Sequence, residues 1–164
     1  MSIGKNLVEA GVEEDLQVSW VPSYGPEMRG GTANCTVIIS DERIGSPLVE
    51  HPSEIVVMNR AALAKFGPQV QPGGTIFINS SIVPDTVDRS DVQVHYVPCD
   101  DIARELGNSK VSNMVMLGAY VAATKVLQVK TIENMIHEMF TGKKAKLVPL
   151  NMDALQRGIA CVER

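Results

Sequence analysis

The residues best suited to bind an anion lie between two predicted strands, in the stretch SYGPEMRGGT at residues 23–32. The adjacent glycines Gly30 and Gly31 free backbone N–H groups that can cradle an anion, and the guanidinium of Arg29 suits phosphate or carboxylate. The same pattern is typical of a tight connection in which the glycines only permit positive φ and Arg29 pairs with a nearby glutamate. Composition leaves both interpretations open.

Two further segments place polar side chains at the ends of predicted elements. Residues 106–114, LGNSKVSNM, join two predicted helices, and Lys110 and Asn113 lie near the start of the second helix, where anions are favoured. Residues 79–81, NSS, follow a predicted strand, at the edge where open α/β sheets gather ligand groups. Asn and Ser are also typical caps at such positions, so a structural role stays open for both segments.

No residue pattern predicts a complete catalytic or metal site. The three cysteines, Cys35, Cys99 and Cys161, are too far apart in sequence for the short spacing of metal sites. The histidines lie outside any catalytic motif, and the sequence has no G-x-S-x-G elbow, Walker A loop, H-E-x-x-H or G-x-G-x-x-G. We therefore predict no catalytic residue and no metal ligand.

Composition restricts the class of protein. The chain has 164 residues, of which 45% are hydrophobic and 21% charged, as expected for one folded domain over residues 1–164. A net charge of −4 without a dense basic run argues against nucleic acid as a partner, and no apolar stretch is long enough for a membrane span. We expect a cytoplasmic protein.

Strands and helices are predicted in alternation, which favours an α/β layered domain with a mostly parallel, Rossmann-like sheet flanked by helices. Gly11 is the predicted C-cap of the first helix, and Asn59 the N-cap of the second. The helix at 111–127 has no charge until Lys125, so it should be buried by its own domain or by another subunit. The predicted strands are 16–21, 33–40, 54–58, 74–79 and 92–97, and the helices are 2–10, 59–66, 99–106, 111–127, 132–140 and 151–161.

Taken together, several segments resemble the gamma subunit of the 2-oxoacid:ferredoxin oxidoreductases, which act on pyruvate, ketoisovalerate or 2-oxoglutarate. They are SWVPSYGPEMRGGTANCTVIISDERIGSP, VVMNRAAL, PGGTIFINSS and ARELGNSKVSNMVMLGA. The resemblance implies a subunit that is inactive alone, within a complex that makes acyl-coenzyme A and reduces ferredoxin. Thiamine diphosphate, magnesium and iron–sulfur clusters are expected on the alpha, beta and ferredoxin-like delta subunits.

The resemblance also implies a role in coenzyme A binding, because the corresponding domain of fused family members is associated with that ligand. Carried over residue by residue, the implied positions are Arg29, Gly30, Gly31 and Lys110, with Asn113 beside Lys110 at the helix start. These are the positions at which the residue types already suggest anion binding. Choice of the 2-oxoacid is expected to rest on other subunits.

One departure from the family pattern concerns the amino terminus. The family begins with a strand and a G-x-G-G-Q-G loop ahead of the helix that MSIGKNLVEAG resembles, and this sequence starts at that helix. Loss of a central strand would expose unpaired backbone and apolar core. We therefore expect the first strand, apparently absent from this sequence, to precede Met1 in the native subunit, giving an intact mass above 17.8 kDa.

A second hypothesis is a free-standing nucleotide-binding or regulatory α/β module without catalytic activity. The apolar helix at 111–127 separates the two hypotheses only weakly, because an enclosed core helix and an intersubunit helix have the same composition. An independent Rossmann dehydrogenase is disfavoured by the missing G-x-G-x-x-G.

Overall fold

The computed structural model describes residues 1–24 and 33–163, and five strands and six α-helices lie within those ranges. The strands are β1 Gln17–Tyr24, β2 Ala33–Ser40, β3 Glu54–Val57, β4 Thr75–Asn79 and β5 Gln93–Val97. The helices are α1 Ser2–Glu13, α2 Arg60–Phe66, α3 Cys99–Glu105, α4 Ser112–Thr124, α5 Val129–Met139 and α6 Val148–Val162. Short 3-10 turns lie at Gly67–Gln69, Ser109–Val111 and Gly142–Leu147.

A parallel sheet in the order β3–β4–β5 confirms the predicted α/β architecture. Its central strand, β4, is buried on both faces: Phe77 faces the core that includes α4, while Ile76 and Ile78 face the side covered by α2. Such double burial explains why β4 contains a continuous apolar run, IFI, rather than an alternating pattern. Asn59 caps α2 as predicted, its Oδ1 accepting from the backbone N–H of Ala62 at 2.8 Å.

Strands β1 and β2 form a separate antiparallel pair in which Gln17 lies opposite Ser40 and Tyr24 opposite Ala33. The strand predicted over 16–21 thus starts one residue later and continues to Tyr24, because the backbone around Pro22 still pairs with β2 opposite Cys35. Cross-strand pairing therefore prevails over the turn tendency of the Pro-Ser-Tyr sequence. Residues 25–32 of the loop predicted over 23–32 lie outside the described residues.

Helix α1 is longer than predicted, and Gly11 is not its C-cap. The helix continues to Glu13, and the backbone reverses at Asp15, whose φ is 57°. Gly11 is buried inside the helix, where an added Cβ would lie 2.6 Å from Cγ1 of Val18. The glycine is needed for close packing of α1 on β1, a role that local sequence does not distinguish from capping.

Helix α4 is enclosed by the chain itself. It contacts α1, α3, α5, α6 and strands β4 and β5, and its residues Met114 to Ala119 are buried. The crossing with α6 is unusually close, because Gly118 faces the backbone of Leu155 and Gly158 faces the backbone of Val115. This observation decides between the two predicted causes of burial in favour of the domain's own packing.

The remaining helix ends differ from prediction by one to three residues. Helix α4 stops at Thr124 because Lys125 adopts a left-handed conformation, with φ of 54°. Helix α5 begins at Val129, three residues before the prediction, and α6 begins at Val148 with a proline in its first turn, where the missing N–H costs nothing. Among the helices of the described ranges, none combines the length and the apolar character needed to cross a membrane.

Candidate functional site

A cleft of about 510 Å³ opens beside the segments that follow β4 and α3. It combines the two polar segments that sequence analysis singled out around residues 79–81 and 106–114. The side of the cleft nearest the sheet comes from the end of β4 and the start of α3, and the other from the turn after α3. The lining residues are Ser81, Ile82, Asp100, Arg104, Gly107, Asn108 and Ser109.

Asn79, the last residue of β4, fixes the start of α3. Its side chain is fully buried. The Oδ1 atom accepts from the backbone N–H groups of Ser81 (3.3 Å) and Cys99 (3.2 Å), and Nδ2 donates to Oδ2 of Asp100 at 2.7 Å. Because a buried amide left without partners is costly, this network holds the end of β4 and the start of α3 in one arrangement.

Ser81 completes the junction. Its hydroxyl accepts from the backbone N–H of Asp101 and donates to the carboxylate of the same residue, both at 3.0 Å. The structure thus gives segment 79–81 the capping role that sequence analysis kept open. The side chains of Asn79 and Ser81 are thus already hydrogen-bonded within the fold.

The turn after α3 shapes the opposite side of the cleft. Gly107 has φ of 81° and closes the helix as predicted, donating to the carbonyl of Arg104 at 3.0 Å. Asn108 then accepts at Oδ1 from the backbone N–H of Lys110, also at 3.0 Å, which caps the 3-10 turn leading into α4. Only glycine adopts that left-handed conformation without strain, so the turn depends on Gly107.

Two cations lie in or next to the cleft. Arg104 lines it and pairs with Asp101 at 3.1 Å; both side chains are more than half exposed. An exposed pair of this kind stabilises the fold by about 1 kcal/mol or less, so Arg104 can exchange Asp101 for a ligand anion at little cost. Lys110 follows the lining residue Ser109, is exposed, and has no ion pair with any residue in the described ranges.

Asn113, the other predicted residue of this segment, lies in the first turn of α4 and is exposed. Lys110 and Asn113 are three residues apart across the start of the helix, a spacing that brings side chains onto neighbouring surface. Predicted residues Arg29, Gly30 and Gly31 lie outside the described residues. Sequence analysis missed Arg104 and Asn108 as cleft residues, although both stand within ARELGNSK, one of the segments that carried the resemblance.

The thiol beneath this junction is not a nucleophile. Cys99 is fully buried at the start of α3, and burial, with the neighbouring Asp100 carboxylate, raises the pKa of its thiol well above the ordinary value. A protonated thiol does not attack an electrophile at neutral pH. Within residues 1–24 and 33–163, no three side chains of His, Cys, Asp or Glu cluster as a metal ion would require.

A parallel three-stranded sheet with helices on both faces and a polar cleft beside β4 defines an α/β class of domain. Comparison with known proteins narrows the class. Residues 1–161 match the model of the family described as pyruvate ferredoxin/flavodoxin oxidoreductase. The chain belongs to this family.

The relatives include ketoisovalerate oxidoreductase subunit VorA of Methanothermobacter thermautotrophicus, which is 36% identical over 159 residues. That match covers 96% of this chain and 33% of the relative, so the chain spans about a third of the relative's length.

Solved structures share the fold over almost all of the chain. The gamma subunit of a keto/oxoacid ferredoxin oxidoreductase from Geobacter sulfurreducens has a TM-score of 0.83 at 26% identity, with 99% of this chain and 90% of that one covered. The 2-oxoglutarate:ferredoxin oxidoreductase of Magnetococcus marinus, with 2-oxoglutarate, coenzyme A and succinyl-CoA bound, has a TM-score of 0.88. The alignment covers 99% of this chain and 28% of the Magnetococcus marinus chain, at 20% identity. Similarity at this level of identity is evidence for the fold alone.

Proposed function

We propose that this chain is the gamma subunit, or gamma-type domain, of a 2-oxoacid:ferredoxin oxidoreductase. In the proposed reaction the bond between C1 and C2 of the 2-oxoacid breaks and CO₂ leaves. Two electrons pass to two ferredoxin molecules, and the acyl group forms a thioester with coenzyme A, whose thiol proton is released. Family membership over residues 1–161 supports this reaction class.

Residues 1–164 would act as one domain of a cytoplasmic complex and would be inactive alone. The partners would be alpha, beta and ferredoxin-like delta subunits, which would hold thiamine diphosphate, magnesium and the iron–sulfur clusters. This division of subunits and cofactors is the one that the family resemblance implies, and family membership over residues 1–161 supports it.

Within the complex this chain would bind the phosphates of coenzyme A through Arg29, Gly30, Gly31, Lys110 and Asn113. The observation that carries this assignment is Lys110: an exposed cation without an ion pair in the described ranges, directly after the last residue that lines the cleft. A phosphate at this position would pair with the ammonium group of Lys110, and the guanidinium of Arg104 could form two parallel hydrogen bonds to phosphate within the cleft. The Magnetococcus marinus enzyme, whose structure has coenzyme A bound, contains a region with this fold.

Titration of coenzyme A into the assembled complex tests the assignment. Arg29→Ala and Lys110→Ala should each raise the dissociation constant at least about tenfold, or roughly 1.4 kcal/mol, because each removes a phosphate-binding charge. Lys65→Ala removes an exposed lysine from α2 and is the matched control, with affinity unchanged. Unchanged affinity in both test variants would refute the phosphate role while leaving family membership intact.

Purification from the native host tests the assembly itself. Larger thiamine-binding subunits and a ferredoxin-like subunit should accompany this chain through gentle chromatography. Recovery of the chain without them would contradict the proposed complex and favour the free-standing nucleotide-binding or regulatory module.

A further inference from the structure

A second, smaller groove lies between α1 and α5. Its volume is about 280 Å³, and its lining residues are Glu9, Glu13, Met135, Glu138 and Met139. We call it the acidic groove. Met135 is buried and forms the floor, whereas Met139 is 41% exposed, so apolar surface and three carboxylates meet in one depression.

The chemistry of the acidic groove specifies its occupant. In the described ranges, none of its three glutamates forms an ion pair, so all three exposed carboxylates are available to a cation. A lysine side chain fits such a groove, because its aliphatic stem can lie on the methionines while its ammonium reaches the carboxylates. The thioether side chains adapt to the shape of an incoming stem.

The chain itself carries a matching surface. The 3-10 turn Gly142–Leu147 presents Lys143, Lys144 and Lys146, all exposed, and none of them has an ion pair in the described part of the chain. We call it the basic turn. It begins three residues after Met139, at the end of α5, so the two surfaces are neighbours in the chain. They nevertheless do not neutralise each other within one molecule.

Adjacent surfaces of opposite charge on one chain are self-complementary and can pair across a two-fold axis, where each copy offers both halves. We propose that two copies of this chain associate through the acidic groove and the basic turn, each turn entering the groove of the other copy. The contact forms twice, six lysines facing six glutamates around the axis. This inference is independent of the coenzyme A assignment.

Charge reversal of the full-length chain tests the pairing, with sedimentation equilibrium as the measurement. Glu13→Lys with Glu138→Lys reverses the groove, and Lys143→Glu with Lys144→Glu reverses the turn. Wild type should dimerise with an affinity that falls as salt rises, and each double variant alone should dimerise at least about tenfold more weakly because like charges then meet. Circular dichroism verifies that both variants are folded.

Mixing the two variants provides the decisive measurement. In the mixed pair the reversed groove of one copy meets the reversed turn of the other, while the unaltered turn meets the unaltered groove, so dimerisation should return to the wild-type level. Glu42→Lys with Glu50→Lys makes the same change in net charge at an exposed loop and should leave wild-type dimerisation intact. A monomeric wild type, a mixture that stays monomeric, or a control that behaves as the groove variant would each overturn the proposal, as would a groove occupied by a different polypeptide.

Discussion

Single residues at the end of the parallel sheet determine both the geometry of the cleft and its charge. Asn79 and Ser81 use their polar atoms to hold α3, so the groups left for a ligand are the cations Arg104 and Lys110. The neighbouring carboxylates are already engaged: Asp100 accepts from Asn79, and Asp101 accepts from Ser81 and Arg104. An anion would therefore compete with one weak, exposed ion pair rather than with a buried network.

His95 makes the stability of the fold depend on pH. It stacks on Phe77, with ring centroids 5.1 Å apart, and burial lowers the pKa of its imidazole below the ordinary value of 6.5. The folded state disfavours the protonated form, so the unfolded chain binds more protons below that value. The free energy of unfolding should therefore fall as the pH drops through 6.5.

Urea unfolding at about pH 7.5 and about pH 5.5 measures this dependence. His95→Gln should show a smaller loss of stability on acidification than wild type, because the titrating group is gone. His137→Gln, on an exposed face of α5, is the matched control and should keep the wild-type difference. If His95→Gln loses as much stability as wild type, burial of His95 is not the cause.

At the scale of elements, the crossing of α4 and α6 is the least tolerant feature of the fold. An added Cβ at Gly118 would overlap the carbonyl of Leu155, and one at Gly158 would overlap the carbonyl of Val115. Both obstacles are backbone atoms, which a rotamer change cannot move. Close approach of the two helices therefore requires glycine at both positions.

Replacement of either glycine by alanine should lower the free energy of unfolding by about 1–3 kcal/mol or more, because the helices must separate or shift. Gly45→Ala is the matched control, since an added Cβ there has no neighbour within 4 Å. Equilibrium denaturation of the three variants gives the comparison. Stabilities for Gly118→Ala and Gly158→Ala within about 0.5 kcal/mol of wild type would contradict the close crossing.

Sequence analysis predicted the β3–α2–β4 unit closely because local signals mark the ends of each element. Asn59 caps the start of α2, α2 ends before Gly67, and a turn precedes the start of β4 at Thr75. The pairing of β1 with β2 apart from the parallel sheet was not predicted, since an alternating pattern identifies a strand but not its neighbour. Gly11 was misread for a related reason. A glycine required by a distant contact has the same sequence appearance as a glycine that ends a helix.

The candidate site likewise contains features that local sequence identifies and features that only the tertiary structure creates. The helix turn containing Lys110 was recognised from local features, and its assignment to coenzyme A came from the family resemblance. The joining of segments 79–81 and 106–114 in one cleft depends on α3 lying between them, and Arg104 lines that cleft only because α3 is held by Asn79 and Ser81. Such relations arise from the tertiary structure and have no local signature.

For the molecule as a whole, one core joins the antiparallel pair, the parallel sheet and the carboxyl-terminal helices. Leu7 of α1, Phe77 of β4 and Leu155 of α6 belong to the same buried cluster, against which Val37 of β2 also packs. The two-stranded pair is half-buried along most of β2, whereas α4 is surrounded. A two-stranded sheet has little stability of its own, so β1 and β2 depend on contacts with the core.

Native-state hydrogen exchange should reflect this arrangement. Amides of α4 are expected to exchange slowest, near the limit of global unfolding, while those of β1 and β2 exchange through smaller openings that leave α4 intact. Helix α2, which has no buried residue, is the internal reference for fast exchange. Protection of β1 and β2 that equals or exceeds that of α4 would contradict the proposed order.

The crossing of α4 and α6 also has a consequence for synthesis on the ribosome. Gly158 of α6 lies against the backbone of Val115, so the face of α4 that packs on α6 has no cover until residues 148–162 have been made. Folding of this core during translation must therefore await emergence of the last helix from the exit tunnel. Until then the apolar surface of α4 is available to chaperones, and a ribosome that stalls before α6 leaves that surface open.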